Sequence, residues 1–336
     1  MPRVRRSDSS KPGISRRRRG RGFEYRRDGR LIRARADLER IRSLAIPPAW
    51  KDVWICADPL GHLQATGVDS AGRRQYLYHD AWRLRRDREK FERMLEFAAA
   101  LGPLRAQTDR CLAGEGLGRQ RVLSCAVRLL DRGFFRIGSE VYAEDNGTFG
   151  LATMLRSHVA LRDDYVVTFD YPAKGGERRI QSVVDPEAYD VVAALKRRRA
   201  GGTELLAYKN GRRWVDVTSA DINEFIQDLT GGPFTAKDFR TWNATVLAAS
   251  SIALLGGQAK SVTARKRIVS LAIGEVARYL GNTPAVCRSS YVDPRVVDRF
   301  NAGQTILGTL ERLPVDLPEP ERQREIEAAV LDLLDG

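Results

Sequence analysis

The spacing of apolar side chains changes near Trp82, and that change divides the chain into two differently built parts. Before it, Asp52 to Ile55, Leu63 to Thr66 and Gln75 to Tyr78 are short runs of β-formers. Gly61, Gly67 and Gly72 punctuate them, as expected of short strands. From Trp82 to Ala100, the residues Leu84, Phe91, Met94, Leu95 and Phe97 fall at helical spacing between charged residues. The expected α+β architecture is therefore a small β-rich N-terminal domain over 23–84 followed by a mainly α-helical domain over 85–312. The hinge is expected within 82–90.

Helical patterns in the second part run near 117–132, 186–199, 218–230, 235–255 and 261–280. One β insertion interrupts them, with strands at Ser157 to Leu161, Tyr165 to Tyr171 and Arg178 to Val184. The last two flank Pro172-Ala173-Lys174-Gly175-Gly176, a hairpin loop. Glu204 to Tyr208 and Arg213 to Val217 form a second pair around Lys209-Asn210-Gly211, a good turn signal. Pro314, Pro318 and Pro320 then introduce a last helix near 321–334. Residues 313–336 hold seven acidic and two basic side chains, so this acidic C-terminal helix is expected to pack peripherally. At 336 residues and 43% apolar content, the chain is long enough and hydrophobic enough for two cores.

The net charge of +14 is unevenly placed. Residues 1–22 hold nine Lys or Arg against the single acid Asp8, which reads as a disordered basic tail suited to polyanions. No apolar stretch follows it as in a secretory signal, and no run approaches the roughly 18 apolar residues of a membrane span. The four cysteines are scattered, indicating a reducing compartment, and three isolated histidines make no metal site. No cofactor is expected. Of 57 basic residues only nine are Lys, so each Lys is a conspicuous choice where Arg would suit bidentate phosphate contact.

A tyrosine can attack a phosphodiester and hold one broken end covalently. Tyr291 stands in Cys-Arg-Ser-Ser-Tyr-Val-Asp-Pro, nine residues after Asn282. Breaking such a bond also needs fixed donors for the non-bridging oxygens and a proton for the leaving alkoxide. Arg136 lies before a glycine at a helix end. Arg240 opens a long apolar helix, with Lys237 three residues earlier on the same face and Thr235 as a cap. Lys174 sits at a hairpin tip between Pro-Ala and Gly-Gly, a place that favours mobility over a core role. Taken singly, either Arg reads as a surface ion pair and Lys174 as a solvated turn residue. Tyr291 has an ordinary pKa of about 10 and no base close in sequence, so a cationic setting is the activation the residues support. Asn282 can donate a hydrogen bond but cannot shuttle protons.

Together these residues resemble the type IB DNA topoisomerases, specifically the small bacterial branch that is similar to the poxvirus enzymes. The matches are Arg136 in Arg-Ile-Gly, Lys174 in Tyr-Pro-Ala-Lys-Gly, Arg240 with Lys237 in Lys-Asp-Phe-Arg-Thr, Asn282 in Gly-Asn-Thr-Pro and Tyr291 in Ser-Ser-Tyr. In the first domain they are Ile46-Pro47-Pro48-Ala49-Trp50, Gly61 to Gly67 and Arg74-Gln75-Tyr76-Leu77-Tyr78-His79. The resemblance spans roughly residues 23–300. Many relatives carry His where this chain has Asn282, which argues for hydrogen bonding there.

The resemblance implies a fold like that of type IB topoisomerases and tyrosine recombinases, and attack by Tyr291 on a DNA 3′-phosphate. Arg136, Arg240 and Asn282 would stabilise the transition state, and Lys174, helped by Lys237, would protonate the leaving 5′-hydroxyl. It implies a monomer that closes as a clamp on duplex DNA in the bacterial cytoplasm, at the nucleoid. Arg74, Gln75, Tyr76 and Tyr78 would face DNA, because Gln and Tyr can touch base edges in the major groove. The rival readings are a tyrosine recombinase, which usually has His at the place of Lys237, and a non-catalytic duplex-binding protein.

Overall fold

The computed structural model of the protein describes residues 3–257, 259 and 261–336. Strand structure begins earlier than expected, at Ile14. The chain forms β1 (Ile14–Arg19), β2 (Gly22–Arg27), β3 (Arg30–Leu31), α1 (Arg35–Ser43), β4 (Lys51–Ile55), β5 (Leu63–Val68) and β6 (Arg74–Tyr78). The strands make one antiparallel sheet in the order β3-β2-β1-β4-β5-β6. Ile14, Ile55 and Ala65 line one face of it and pack with Ile41 of α1, backed by Tyr25, Trp50 and Leu77.

The basic N-terminus is thus not a disordered tail. β1 lies inside the sheet between β2 and β4, with Ile14 opposite Ile55 and only 1% exposed. The Arg16 guanidinium stacks 4.2 Å from the Phe23 ring centroid and donates to the carbonyls of Ile46 (3.3 Å), Pro47 (3.1 Å) and Trp50 (2.6 Å). Farther upstream, Arg5 forms a bridge with Gly61, and the Ser7 hydroxyl accepts from the Leu63 N–H at 3.0 Å. A run of Arg can be a strand because the alkyl stems pack while the charged heads reach carbonyls or water.

Helix α2 (Asp80–Leu112) continues past Ala100 and through Pro103. Burial of Leu101 and Leu104, each 1% exposed, holds the helix where Gly102-Pro103 reads locally as a stop. The chain divides into two compact units, Met1–Phe91 and Glu92–Gly336, so the boundary falls inside α2 and beyond residue 84.

The second unit contains α3 (Arg119–Gly133), α4 (Glu140–Asn146), β7 (Val159–Leu161), β8 (Val166–Pro172), β9 (Arg178–Val184) and α5 (Pro186–Arg197). After these come β10 (Ala207–Asn210), β11 (Arg213–Asp216), α6 (Ser219–Thr230), α7 (Ala236–Gly256) and α8 (Val262–Leu280). The chain ends with α9 (Pro284–Ser290), α10 (Pro294–Asn301), α11 (Leu307–Arg312) and α12 (Glu319–Asp335). Asn210 pairs with Arg213, which leaves Gly211 and Arg212 as the turn and places β10 later than Glu204 to Tyr208.

The centre of this unit is α7, whose Phe239, Trp242, Ala244 and Thr245 are fully buried. The acidic C-terminal helix α12 is integral to the unit. Its Glu327, 6% exposed, takes two bonds from Arg105 (2.6 and 2.8 Å). Arg105 also grips Asp131 with two bonds of 2.8 Å. Burial opposes the Arg105 charge, and the two carboxylates more than offset it.

Deleting residues 1–22 removes an interior strand. The expected outcome is loss of the cooperative unfolding transition of the N-terminal unit, followed by circular dichroism; an unchanged transition would contradict the placement of β1.

Candidate active site

The last carbonyls of a helix have no partner within it, and several of the candidate side chains meet at the end of α8. The helix stops at Gly281, which is left-handed at φ 60°, and Asn282 follows. Arg240 of α7 donates to the Leu280 carbonyl at 2.9 Å and also bonds the Phe134 carbonyl. Arg136 donates to the Gly281 carbonyl at 2.8 Å and bonds the Asn282 side-chain oxygen. The Asn282 amide nitrogen is buried and has no hydrogen-bond partner among the described residues. Its free N–H groups are therefore available to an acceptor.

Each of these residues is delivered by local chemistry. Helix α3 ends with Phe134 left-handed at φ 55°, and Phe135 buries against Phe169 with ring centroids 4.7 Å apart. Arg136 follows on an extended stretch whose carbonyl accepts from Leu151 at 2.8 Å. Gly138 and Gly150 cross so closely that a Cβ on Gly150 would collide with the Gly138 backbone. On α7, the Asp238 carboxylate reaches back to the Thr235 N–H (2.8 Å) and hydroxyl (2.9 Å), closing the helix start that presents Lys237 and Arg240. Lys174 stands exposed at the β8–β9 turn, whose base is tied down where the Phe149 N–H meets the Pro172 carbonyl at 2.8 Å.

Tyr291 caps the C-terminus of α9. Its carbonyl accepts from the Thr245 hydroxyl at 3.2 Å, and that hydroxyl accepts from the Asp293 N–H at 3.2 Å. The nucleophile candidate is thereby pinned to α7, five residues along from Arg240. The Arg240 guanidinium lies 5.4 Å from the centroid of the Tyr291 ring.

Arg136, Lys174, Lys237, Arg240 and Tyr291 line one cavity of about 330 Å³, and Asn282 adjoins it through Arg136. A larger cavity of about 540 Å³, bounded by Arg105, Asp131, Asn243 and Tyr279, contains none of them. Arg74, Gln75, Tyr76 and Tyr78 lie on β6 in the N-terminal unit. Tyr76 and Tyr78 are exposed and stack at 6.2 Å with an interplanar angle of 18°, on the face shared with Arg74. Gln75 turns to the opposite face and donates to Asp69 at 2.8 Å.

The sequence matches known families over most of its length. Residues 79–305 match the eukaryotic DNA topoisomerase I catalytic core, and residues 22–69 match the N-terminal domain of bacterial DNA topoisomerase IB. DNA topoisomerase 1B of Acanthamoeba polyphaga mimivirus is 32% identical over 264 residues, 76% of this chain and 77% of that protein. This chain belongs to the type IB DNA topoisomerases. DNA topoisomerase 1 of Daucus carota is 24% identical over 160 residues, which is 47% of this chain and 19% of that protein.

In this type IB site the electrostatics bear directly on Tyr291. Burial pushes its phenol up, but the positive charge of Arg240, joined by Arg136 and Lys237, outweighs burial and holds it below 10. The same crowding pushes Arg240 down to about 10, through burial first and the Arg136 charge second. Arg240 remains charged at neutral pH. The cation cluster thus lowers the phenol without help from a neighbouring base.

Thr245 was invisible in the sequence, because a threonine inside an apolar helix reads as core. Phe149 and Thr148, which complete the cavity wall, carry no motif either.

The Tyr291 phenol is expected to titrate below ordinary tyrosine, and Lys237→Gln to raise its midpoint by removing one of the charges that lower it. Phenolate absorbance of the protein minus that of Tyr291→Phe reads the titration. A midpoint unmoved by the Lys237 change would refute the coupling.

Proposed function

We propose that this chain relaxes supercoiled duplex DNA by breaking and resealing one strand through a covalent bond between Tyr291 and a 3′-phosphate. The observation that carries the reading is the convergence of Tyr291 with Arg136, Lys174, Lys237 and Arg240 on one cavity. The Tyr291 oxygen attacks phosphorus, and the bond to the 5′-oxygen breaks. Arg136, Arg240 and the unpartnered Asn282 amide stabilise the charge that grows on the non-bridging oxygens. Preorganised donors suit this step because their carbonyl partners already fix them.

Lys174 donates a proton to the departing 5′-oxygen, with Lys237 assisting from α7. The free strand then rotates, and the 5′-hydroxyl attacks the phosphotyrosine to restore both the DNA and Tyr291. Bond energy is retained in the phosphotyrosine, so resealing requires no ATP. We further infer that a single copy of the chain closes on the duplex. This inference rests on the separate Tyr76–Tyr78 surface and the phosphate site, carried by units that one helix joins. Arg74, Tyr76 and Tyr78 face DNA in this reading, and Gln75 reaches it only by releasing Asp69.

Supercoiled plasmid incubated with the protein in EDTA without ATP is expected to relax. Tyr291→Phe keeps duplex binding and loses both relaxation and the covalent adduct. Lys174→Ala slows strand cleavage by about 10²- to 10⁴-fold, the usual contribution of a general acid. A metal requirement for the wild-type protein, or an adduct of normal yield from Tyr291→Phe, would overturn the mechanism.

A further inference from the structure

A third guanidinium joins Arg136 and Arg240 at the end of α8. Arg179 of β9 bonds the Tyr279 carbonyl, so the successive carbonyls of Tyr279, Leu280 and Gly281 each accept from a different arginine. The three come from β9, α7 and the stretch after α3. Among the described residues, none of the three pairs with a carboxylate in an ion pair. Their charge is met instead by the negative end of a helix.

The surroundings of Arg179 are built to hold it. Its Nε bonds the Gln181 side-chain oxygen, and the Gln181 amide donates to the Gly133 carbonyl at 2.8 Å, at the end of α3 that leads into Arg136. It stands directly across from Tyr171, which is 2% exposed, in the β8–β9 pair that carries the Lys174 turn. A Cβ on Gly281 would come within 2.5 Å of Arg179 Nη1, so the glycine that the left-handed backbone favours also leaves room for the guanidinium beside it. An ordinary cross-strand arginine would present its head to water or to an acid. This one lies a few residues beyond Lys174 and spends its fork on the α8 terminus.

We propose that Arg179 is a positioning residue for DNA cleavage. It fixes the last turn of α8, so that Gly281 and Asn282 hold Arg136 and aim the free Asn282 amide at the phosphate. The inference rests on the site reading given above. Arg179 acts through Asn282 and does not touch the reacting atoms.

Single-turnover cleavage of an oligonucleotide duplex at saturating DNA tests this. Arg179→Ala is expected to slow cleavage about ten- to hundredfold, as loss of a supporting contact does, while duplex affinity and the thermal transition of the unit change little. Arg179→Lys is expected to remain at least about tenfold slow, because one ammonium cannot replace a fork that reaches two partners. Combined with Asn282→Ala, Arg179→Ala adds no further loss, since residues acting through one another are not additive.

A wild-type rate for Arg179→Lys, or losses that multiply in the double variant, would overturn the proposal. Should Arg179→Ala fail to fold, the lysine variant keeps the half-buried charge and tests the same coupling, alone and combined with Asn282→Ala. Absence of the covalent adduct from the wild-type chain would instead overturn the site reading.

Discussion

The unsatisfied carbonyls at the end of α8 are the interaction on which the catalytic unit depends. Guanidinium groups gathered in one place repel each other, and burial adds a desolvation penalty, as the depressed Arg240 pKa shows. Helix-terminal carbonyls offer partial negative charge without supplying a carboxylate. A carboxylate would neutralise the arginines and compete with a phosphate for them. Backbone oxygens orient them and leave their charge uncompensated, which is the condition an anionic substrate can use. The same uncompensated charge outweighs the burial of Tyr291 and lowers its phenol. In the proposed mechanism, nucleophile activation and phosphate binding therefore have one source.

Arginine elsewhere in the chain is structural material. Arg16 stacks on Phe23 and satisfies three carbonyls in the N-terminal unit. Arg105 is held between Asp131 and Glu327 and joins α12 to the helices around it. Arg128 is likewise spent on Asp185 at 2.7 Å. Arg136 and Arg240 also bond carbonyls, but unlike these they line the cavity that holds Tyr291. Pinning of the Tyr291 backbone by Thr245 adds the positional precision that such a reaction needs, because α7 carries both Thr245 and Arg240.

Much of the second unit was legible locally. The helices expected at 235–255 and 261–280 form as Ala236–Gly256 and Val262–Leu280, and the hairpin strand at 178–184 forms as Arg178–Val184. Long periodic segments and a Gly-Gly turn express short-range preferences, which survive folding. Local reasoning failed where tertiary contacts override it. The arginine run of β1 becomes a strand because Ile14 finds Ile55, α2 passes Pro103 because its neighbours bury, and the acidic α12 packs inward because Arg105 awaits Glu327.

By itself the sequence determined the candidate groups and their order along the chain: a tyrosine, two arginines, two lysines and an amide in recognisable local motifs. Those motifs are short-range and need no knowledge of the fold. Only the tertiary structure decided which of the many arginines line the cavity with Tyr291 and which hold the protein together. That choice depends on where orphaned carbonyls and carboxylates end up, a long-range matter. It is why Arg179, which has no motif, stands at the α8 terminus beside Arg136 and Arg240, while Gln75, which has one, turns away to Asp69.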